Sequence, residues 1–301
     1  MGEWDLVDFL RQRAPSGARV PIGIGDDTAL VRCSDQGALV TVDMLMDGVH
    51  FCLDQTRPER VGAKALGVNL SDIAAMGGSP DAAFVALCLP RQSFDSLARP
   101  LMEGLINAAG EFGVVVAGGD TNTWEGPLVI SVTVMGTPHT RGPVRRSGAQ
   151  SGDFIFVTGN LGDSLGGRHL DFTPRVREVK AILDRVPLTA MIDLSDGLAT
   201  DLRHILAASG VAGVLDRDHI PLAPGLNNLS REDALKRALT DGEDFELCFT
   251  LAPAAAQDLL RNNPIAIPLT PIGRIIPGAG LHWGHDSSPL EEIAWVGYQH
   301  I

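Results

Sequence analysis

VNLSDIAAMGGSP, residues 68–80, reads as a buried helix that ends in a glycine turn. Val68, Leu70, Ile73, Ala74 and Met76 supply apolar surface, while Gly77, Gly78 and Pro80 stop the helix and turn the chain. A helix this apolar belongs in a core. Asp72 stands inside it, and an ionised, unpaired acid there costs several kcal/mol, so it must face a cation, a basic partner or water. The residues that could meet it lie in other acidic clusters spread along the chain.

Upstream, residues 4–13 have the pattern of a short amphipathic helix. PIGIGDDTALV, residues 21–31, then sets Gly23 and Gly25 before Asp26 and Asp27, which suits a loop whose backbone approaches a ligand. ALVTVDMLMDGVHF, residues 38–51, alternates with period two, so Thr41 and Asp43 share one strand face and Val40 and Val42 the other. Pro58 starts the helix that carries Asp72, residues 81–90 read as a buried strand, and a second helix is expected over 93–112. VVVAGGDTNT, residues 114–123, is a strand leading into Gly118-Gly119-Asp120, and residues 127–136 form another.

Downstream, the polar, Gly-rich segment 141–153 is the best domain boundary. MIDLSDGLATDLRHILAASG, residues 191–210, passes from strand to helix, with Ser195 or Asp196 expected as cap and Gly210 as terminator. Glu243 and Asp244 stand at the entrance of a strand. Helices and strands alternate throughout, which indicates α/β or α+β architecture.

Composition narrows the function. With 301 residues and 45% hydrophobic content the chain can bury a sizeable core, in one large domain or two ordinary ones. A net charge of −13, with Lys64, Lys180 and Lys236 the only lysines, argues against nucleic-acid or anionic-membrane partners. A phosphate ligand would need divalent cations between it and the protein's acids. Cys33, Cys52, Cys88 and Cys248 form no CxxC pair and read as small buried hydrophobes in a reducing compartment. The N-terminus lacks a signal-peptide pattern and no apolar run reaches about 18 residues, so the expected location is cytoplasmic.

Asp26-Asp27, Asp43, Asp72, Asp120 and Asp193-x-x-Asp196 all sit where strands end or helices begin, flanked by Gly, Ser or Thr. Any one of them could be an ordinary turn or cap residue. Converging, they would repel one another, and hard cations held by oxygen are the usual remedy, with magnesium preferred because it bridges substrate phosphates. No GxxxxGKS or GxxxxGKT motif occurs, and GIGDD lacks the third glycine of a dinucleotide fingerprint. His282 and His285 have no partner acids in register for zinc. Arg145-Arg146 beside Ser147-Gly148 suits either a phosphate grip or a solvated pair.

GIGDDTALV, VTVDMLMDGVHF, KALGVNLSDIAAMGGSP, GGDTN, RRSGAQSGD, VTGNLGDS, IDLSDGLATDL, DGEDFELCF and the closing GYQH occur in order nearly end to end. With them the chain resembles the thiamine-monophosphate kinase family, in the superfamily of aminoimidazole ribonucleotide synthetase, selenophosphate synthetase and a related hydrogenase maturation factor. The resemblance implies ATP-dependent phosphorylation of thiamine monophosphate to thiamine diphosphate, the last step in making that cofactor, by direct magnesium-assisted transfer without a side-chain nucleophile. It implies an N-terminal α/β domain over 1–140, which binds metal and ATP phosphates and whose strands build a barrel across a homodimer. A C-terminal α+β domain over 141–301 would supply nucleotide and substrate contacts.

By the same resemblance Asp27, Asp43, Asp72, Asp120 and Asp193 hold magnesium, Asp196 binds a further ion, and Thr41 touches metal. Gly119, Asp120, Arg146 and Ser195 match nucleotide-contacting positions, while His50, Glu243 and Trp295 match the thiamine-phosphate pocket. Trp295 suits stacking on a thiazolium or pyrimidine ring, and its plain alternative is core packing.

Three departures from the family pattern stand out: Val42 replaces a threonine, GGDTNTWEGP is lengthened, and the region 165–175 is shortened to end in Asp171-Phe172-Thr173-Pro174-Arg175. The last predicts an altered acceptor pocket or a lost surface helix. Two other functions fit the fold, a ring-closing synthetase and a metal-loaded scaffold without turnover. Nothing in GEDFELCF favours the first, and the intact acids argue against the second.

Overall fold

The structure, a computed structural model, describes residues 21–22, 25–32, 37–284 and 290–298. The expected helix over 4–13, Gly23, Cys33, His285 and the closing Gln299 and His300 lie outside the described residues. Two open sheets with helices against them make a mixed α/β fold. The first contains β1 (Ala29–Val31), β2 (Ala38–Met46), β3 (Ser79–Pro90), β4 (Val115–Trp124) and β5 (Val129–Thr137), in the order β1-β2-β5-β3-β4. Helices α1 (Pro58–Ala75) and α2 (Phe94–Phe112) belong to this half, α2 linking the parallel strands β3 and β4.

Pleating gives this sheet two different faces. Asp43, Val132, Val85 and Gly119 lie in register across four strands, as do Thr41, Val134, Ala83 and Val116, and Val132, Val134, Val85 and Ala83 are buried. The intervening rows, Val42-Thr133-Phe84-Gly118 and Met44-Ser131-Ala86-Asp120, point the other way. Val42, Met44 and Phe84 are 60%, 56% and 40% exposed. The alternation expected for β2 therefore holds with its polar residues turned inward. β3, expected to be buried, is buried on one face only, because no described element covers the other.

Two strand limits also differ from expectation. The strand expected over 38–51 ends at Met46, where Gly48 at φ +82° turns the chain. Gly118, Gly119 and Asp120 lie within β4 rather than after it. Gly119 is required there, since a Cβ would stand 1.8 Å from the Val85 carbonyl oxygen.

Helix α1 buries 13 of its 18 residues, so it is covered nearly all round. Gly62 and Gly104 let it touch α2, because a Cβ on Gly62 would lie 1.9 Å from Leu101 O and one on Gly104 1.9 Å from Glu59 O. Gly104→Ala is expected to destabilise the protein by about 1–3 kcal/mol through overpacking. Gly110→Ala on the same helix, where nothing lies within 4 Å, is expected to be neutral or mildly stabilising. Thermal midpoints of the two variants check this, and equal midpoints would contradict the close helix contact.

The second sheet contains β6 (Phe154–Thr158), β7 (Ala190–Asp193), β8 (Ala212–Leu215), β9 (Leu247–Leu251), β10 (Leu269–Ile276), β11 (Leu281–Trp283) and β12 (Glu291–Glu292), ordered β12-β11-β8-β10-β6-β9-β7. Alternate residues enter different cores. Phe156 and Phe249, stacked with centroids 5.7 Å apart, join the core of α1, α3 (Val176–Arg185) and α6 (Pro253–Arg261). Ile155, Val157 and Cys248 join that of α4 (Leu198–Ser209) and α5 (Arg231–Thr240). The core that holds α1 thus runs unbroken from the first sheet to the second. No helix among the described residues is long and apolar enough to cross a membrane. Cys52 and Cys88 are only half-buried, unlike Cys248, so the expectation of buried thiols holds for one of the three described.

Candidate active site

A cleft of about 620 Å³ opens where α1, β2, the turn before β1 and the ends of β7 and β9 meet. Asp72 lies on its floor, half-buried in a helix whose neighbouring residues are buried. Carboxylate oxygens of Asp27, Asp72 and Asp193 lie within 4.8 Å of one another. Thr41 Oγ1 donates to Asp72 at 2.5 Å and Ser71 Oγ to Asp193 at 2.6 Å. Arg146 donates through Nε and Nη2 to both oxygens of Asp27, at 3.0 and 2.8 Å, and its backbone N–H donates to Asp26 at 2.9 Å. The Arg145-Arg146 pair is thereby divided: Arg146 faces the acids and Arg145 is exposed.

Gathering these acids in one cleft has an electrostatic cost. Burial, ahead of repulsion from Asp43, Asp193 and Asp27, pushes the Asp72 carboxyl well above its usual range. Burial with the charge of Asp27 raises Asp193 to about 8, and burial raises Asp43 to about 6 although a hydrogen bond with Asp72 works against it. Arg146 is held charged by Asp27 despite its burial. Without a further cation, burial and mutual repulsion oppose ionising these acids together. Clustered oxygen donors with one arginine among them fit hard divalent ions, and Asp27, Asp43, Asp72 and Asp193 are the residues that could hold them.

A pH dependence follows. Asp193 binds its proton up to about 8 when folded but only near 3.8 in its ordinary state, so rising pH in that window costs the metal-free protein stability. His204, kept neutral by burial and Arg146 down to about 4, has the opposite slope below its ordinary 6.5. Above pH 6.5 the acids act alone among these groups. The thermal midpoint in chelator is expected to fall between pH 6.5 and 8, and magnesium to raise it most at pH 8. A midpoint that stays level in chelator and ignores magnesium would contradict the cluster.

Helix α4 starts differently from expectation. Ser195 and Asp196 do not cap it. The Asp201 carboxylate accepts from Asp196 N and Gly197 N at 3.1 and 3.0 Å, which leaves Ser195 and Asp196 lining the cleft. Asp201 could have been found in the sequence as an acid in the helix's first turn. The tail crosses the same helix start, Gly297 N donating to Thr200 Oγ1 at 2.8 Å and Tyr298 N to Asp196 O at 3.0 Å.

At the other end of the cleft stand His50 and Glu243. Glu243 is bound by Lys64 Nζ at 2.8 and 2.9 Å and lies 2.9 Å from His169 Nδ1. Burial would raise its carboxyl, but His169 and Lys64 hold it below its usual range. Lys64, missed in the sequence reading, is as anomalous in its apolar surroundings as Asp72.

Three expected residues are not brought here. Trp295 packs edge-on to Trp283, with centroids 6.1 Å apart, and does not line the cleft, whereas Tyr298 does. Asp120 and Gly119 sit on β4, three strands from β2, a separation of roughly 14 Å at the usual strand spacing. Asp120 also points to the exposed face, away from Asp43. The lengthened GGDTNTWEGP extends β4, and Trp124 Nε1 donates back to Pro127 O at 2.8 Å. The shortened 165–175 region holds two 3₁₀ turns, Ser164–Gly166 and Arg168–Leu170, and Phe172 stacks on Phe245 at 4.0 Å.

Known proteins are similar to this chain in sequence and fold. The family described as AIR synthase related protein, N-terminal domain, matches residues 25–137. The thiamine-monophosphate kinase of Rhodopirellula baltica is 38% identical, over 99% of this chain and 97% of its own length. A solved structure described as AaThiL complexed with AMPPCP and TMP has TM-score 0.83 and 33% identity, covering 98% of this chain and 96% of that one. Escherichia coli HypE, a hydrogenase maturation protein, shares the fold at 16% identity, with TM-score 0.69 over 97% of both chains. On full-length identity and a shared fold, the chain belongs to the thiamine-monophosphate kinase family.

Proposed function

We propose that this chain transfers the terminal phosphoryl group of ATP to the phosphate of thiamine monophosphate, releasing ADP and thiamine diphosphate. An acceptor phosphate oxygen bonds to the γ-phosphorus as the bond to the β,γ-bridging oxygen breaks. The observation that carries this reading is the convergence of Asp27, Asp72 and Asp193 on a cleft lined from both halves of the chain. Asp27, Asp43, Asp72 and Asp193 with Thr41 would hold magnesium ions, and Asp196 a further one. Such ions, when bound, offset the repulsion between the phosphates of donor and acceptor.

The chain's own residues position the reactants. Arg146, fixed in direction by its two bonds to Asp27, presents positive charge beside the cluster, and Ser195 lines the same wall. Both suit the ATP phosphates. His50 and Glu243, at the far end, suit the polar edge of the acceptor's ring. Tyr298 is better placed than Trp295 to stack on that ring. Phosphoryl transfer asks for positioning and charge stabilisation, so no side-chain nucleophile is invoked.

The same reading makes the protein a cytoplasmic homodimer. Val42, Met44 and Phe84 form an exposed apolar face, which is the mark of an interaction surface. A second copy packed on it would extend the open sheet towards a barrel. Gly119 and Asp120, distant from their own cluster, would serve a site that includes the partner. Residues 1–140 would then dimerise and hold metal, and 141–301 would complete the nucleotide and acceptor contacts.

The test is acceptor dependence. ADP release in a coupled assay is expected with thiamine monophosphate and not with the amidine-forming substrate of a ring-closing synthetase. Turnover of the latter alone would replace the kinase reading, and ATP binding without any acceptor turnover would support the inactive scaffold.

A further inference from the structure

Lys64 has no exposed side-chain surface. Its ammonium has three N–H directions and three neighbouring polar groups: the Glu243 carboxylate at 2.8 and 2.9 Å, the His50 carbonyl at 2.7 Å and His169 Nδ1 at 2.9 Å. His169 Nδ1 accepts from Lys64 or donates to Glu243, according to its tautomer. A buried ammonium satisfied in this way fixes its partners in direction as well as charge.

The segment that carries Glu243 is strained. Gly242, Glu243 and Phe245 have φ of +71°, +50° and +49°, and the left-handed region is uncommon for bulky residues. Its alternate side chains are pinned elsewhere. Asp244 accepts from Gly162 N at 3.0 Å and pairs with Arg168 at 2.5 Å, while Arg175 donates to both oxygens of Glu246 at 2.8 and 2.5 Å. Glu243 and Phe245 are thereby presented to the cleft, and Lys64 reaches Glu243 from α1. That helix also carries Asp72, eight residues on, so about 12 Å of helical rise separates the clamp from the acid cluster.

We propose that Lys64 is a positioning residue for acceptor recognition, holding Glu243 and the His50 carbonyl at a set distance from the acids that gather the phosphates. The cleft thereby selects a phosphate ester whose polar, amino-bearing ring lies one helix-fixed length from its phosphate. This deepens the proposed kinase function and rests on it.

Steady-state kinetics of Lys64→Met, Glu243→Gln and the double variant test it. Lys64→Met is expected to raise KM for thiamine monophosphate about tenfold or more, with kcat and the KM for ATP within about threefold of wild type. The double variant is expected to be no worse than Glu243→Gln alone, because Lys64 acts through that carboxylate. A fall in kcat at unchanged acceptor KM, an equal rise in the KM for ATP, or multiplying penalties would overturn the proposal.

Circular dichroism and binding of a non-hydrolysable ATP analogue establish that each variant is folded. Should Lys64→Met fail to fold, His169→Gln, which leaves Lys64 in place, is measured in the same way. An acceptor KM raised about threefold or more at unchanged KM for ATP supports the clamp, and an unchanged acceptor KM overturns it. Wild-type protein that makes no thiamine diphosphate would remove the kinase reading and this proposal together. Wild-type turnover with unshifted variants would remove this proposal alone.

Discussion

Asp72→Asn is expected to lower kcat for thiamine diphosphate formation by roughly 10³-fold at saturating magnesium, the scale on which single preorganised electrostatic groups act. Asp72 is central to the cluster, in contact with Thr41 and surrounded by Asp27, Asp43 and Asp193. Asparagine keeps its shape and removes its charge. The metal-free variant is expected to melt higher than wild type at pH 8, because a carboxyl pushed well above its usual range by burial no longer has to be accommodated. The two effects have opposite signs, so a variant that is both inactive and destabilised in chelator would point to lost packing instead. Single-turnover kinetics and melting with and without magnesium separate the cases.

The second large effect is on stability. Arg175→Met is expected to cost about 3 kcal/mol or more, since it leaves Glu246, 1% exposed, without its two-bonded partner. For a chain of this size that is a fall of roughly 5 °C in thermal midpoint. Glu246 keeps a bond from Thr158 Oγ1 at 2.6 Å and a looser Arg168 contact at 3.8 Å, which limits the loss. Adding Glu246→Gln to Arg175→Met is expected to recover about half of it, because the buried charge is then gone. No recovery would place the cost in packing of the arginine stem.

Local pattern was legible wherever one residue's neighbours in sequence decide its environment. The apolar run around Asp72, the period-two alternation of residues 38–46 and the glycines after Met76 and Ser209 all mark structure that forms as expected. That alternation puts Thr41 and Asp43 on one face, while their inward turn is seen only in the packed sheet. What sequence could not place depends on distant partners. Arg146 meets Asp27 across 119 positions and Lys64 meets Glu243 across 179, and neither spacing is a local signal.

Asp120 shows the other limit. Its GGD motif is plain, but its strand turned out to be the sheet edge and its side chain faces away from the acids. Trp295 and Tyr298 are three positions apart, and only the path of the tail over Asp196 decides which one reaches the cleft. At the start of α4, Ser195 and Asp196 have the composition of caps, yet Asp201 takes their place and frees them for the site. In the last two cases a motif identified the right neighbourhood while tertiary packing chose the residue.

The most direct test is to follow phosphorus NMR of the purified protein with ATP, thiamine monophosphate and magnesium, then repeat it in chelator. The account predicts that ADP and the β-phosphorus of thiamine diphosphate rise together in magnesium, and that neither appears in chelator. ADP without thiamine diphosphate, or equal product without a divalent cation, would contradict it.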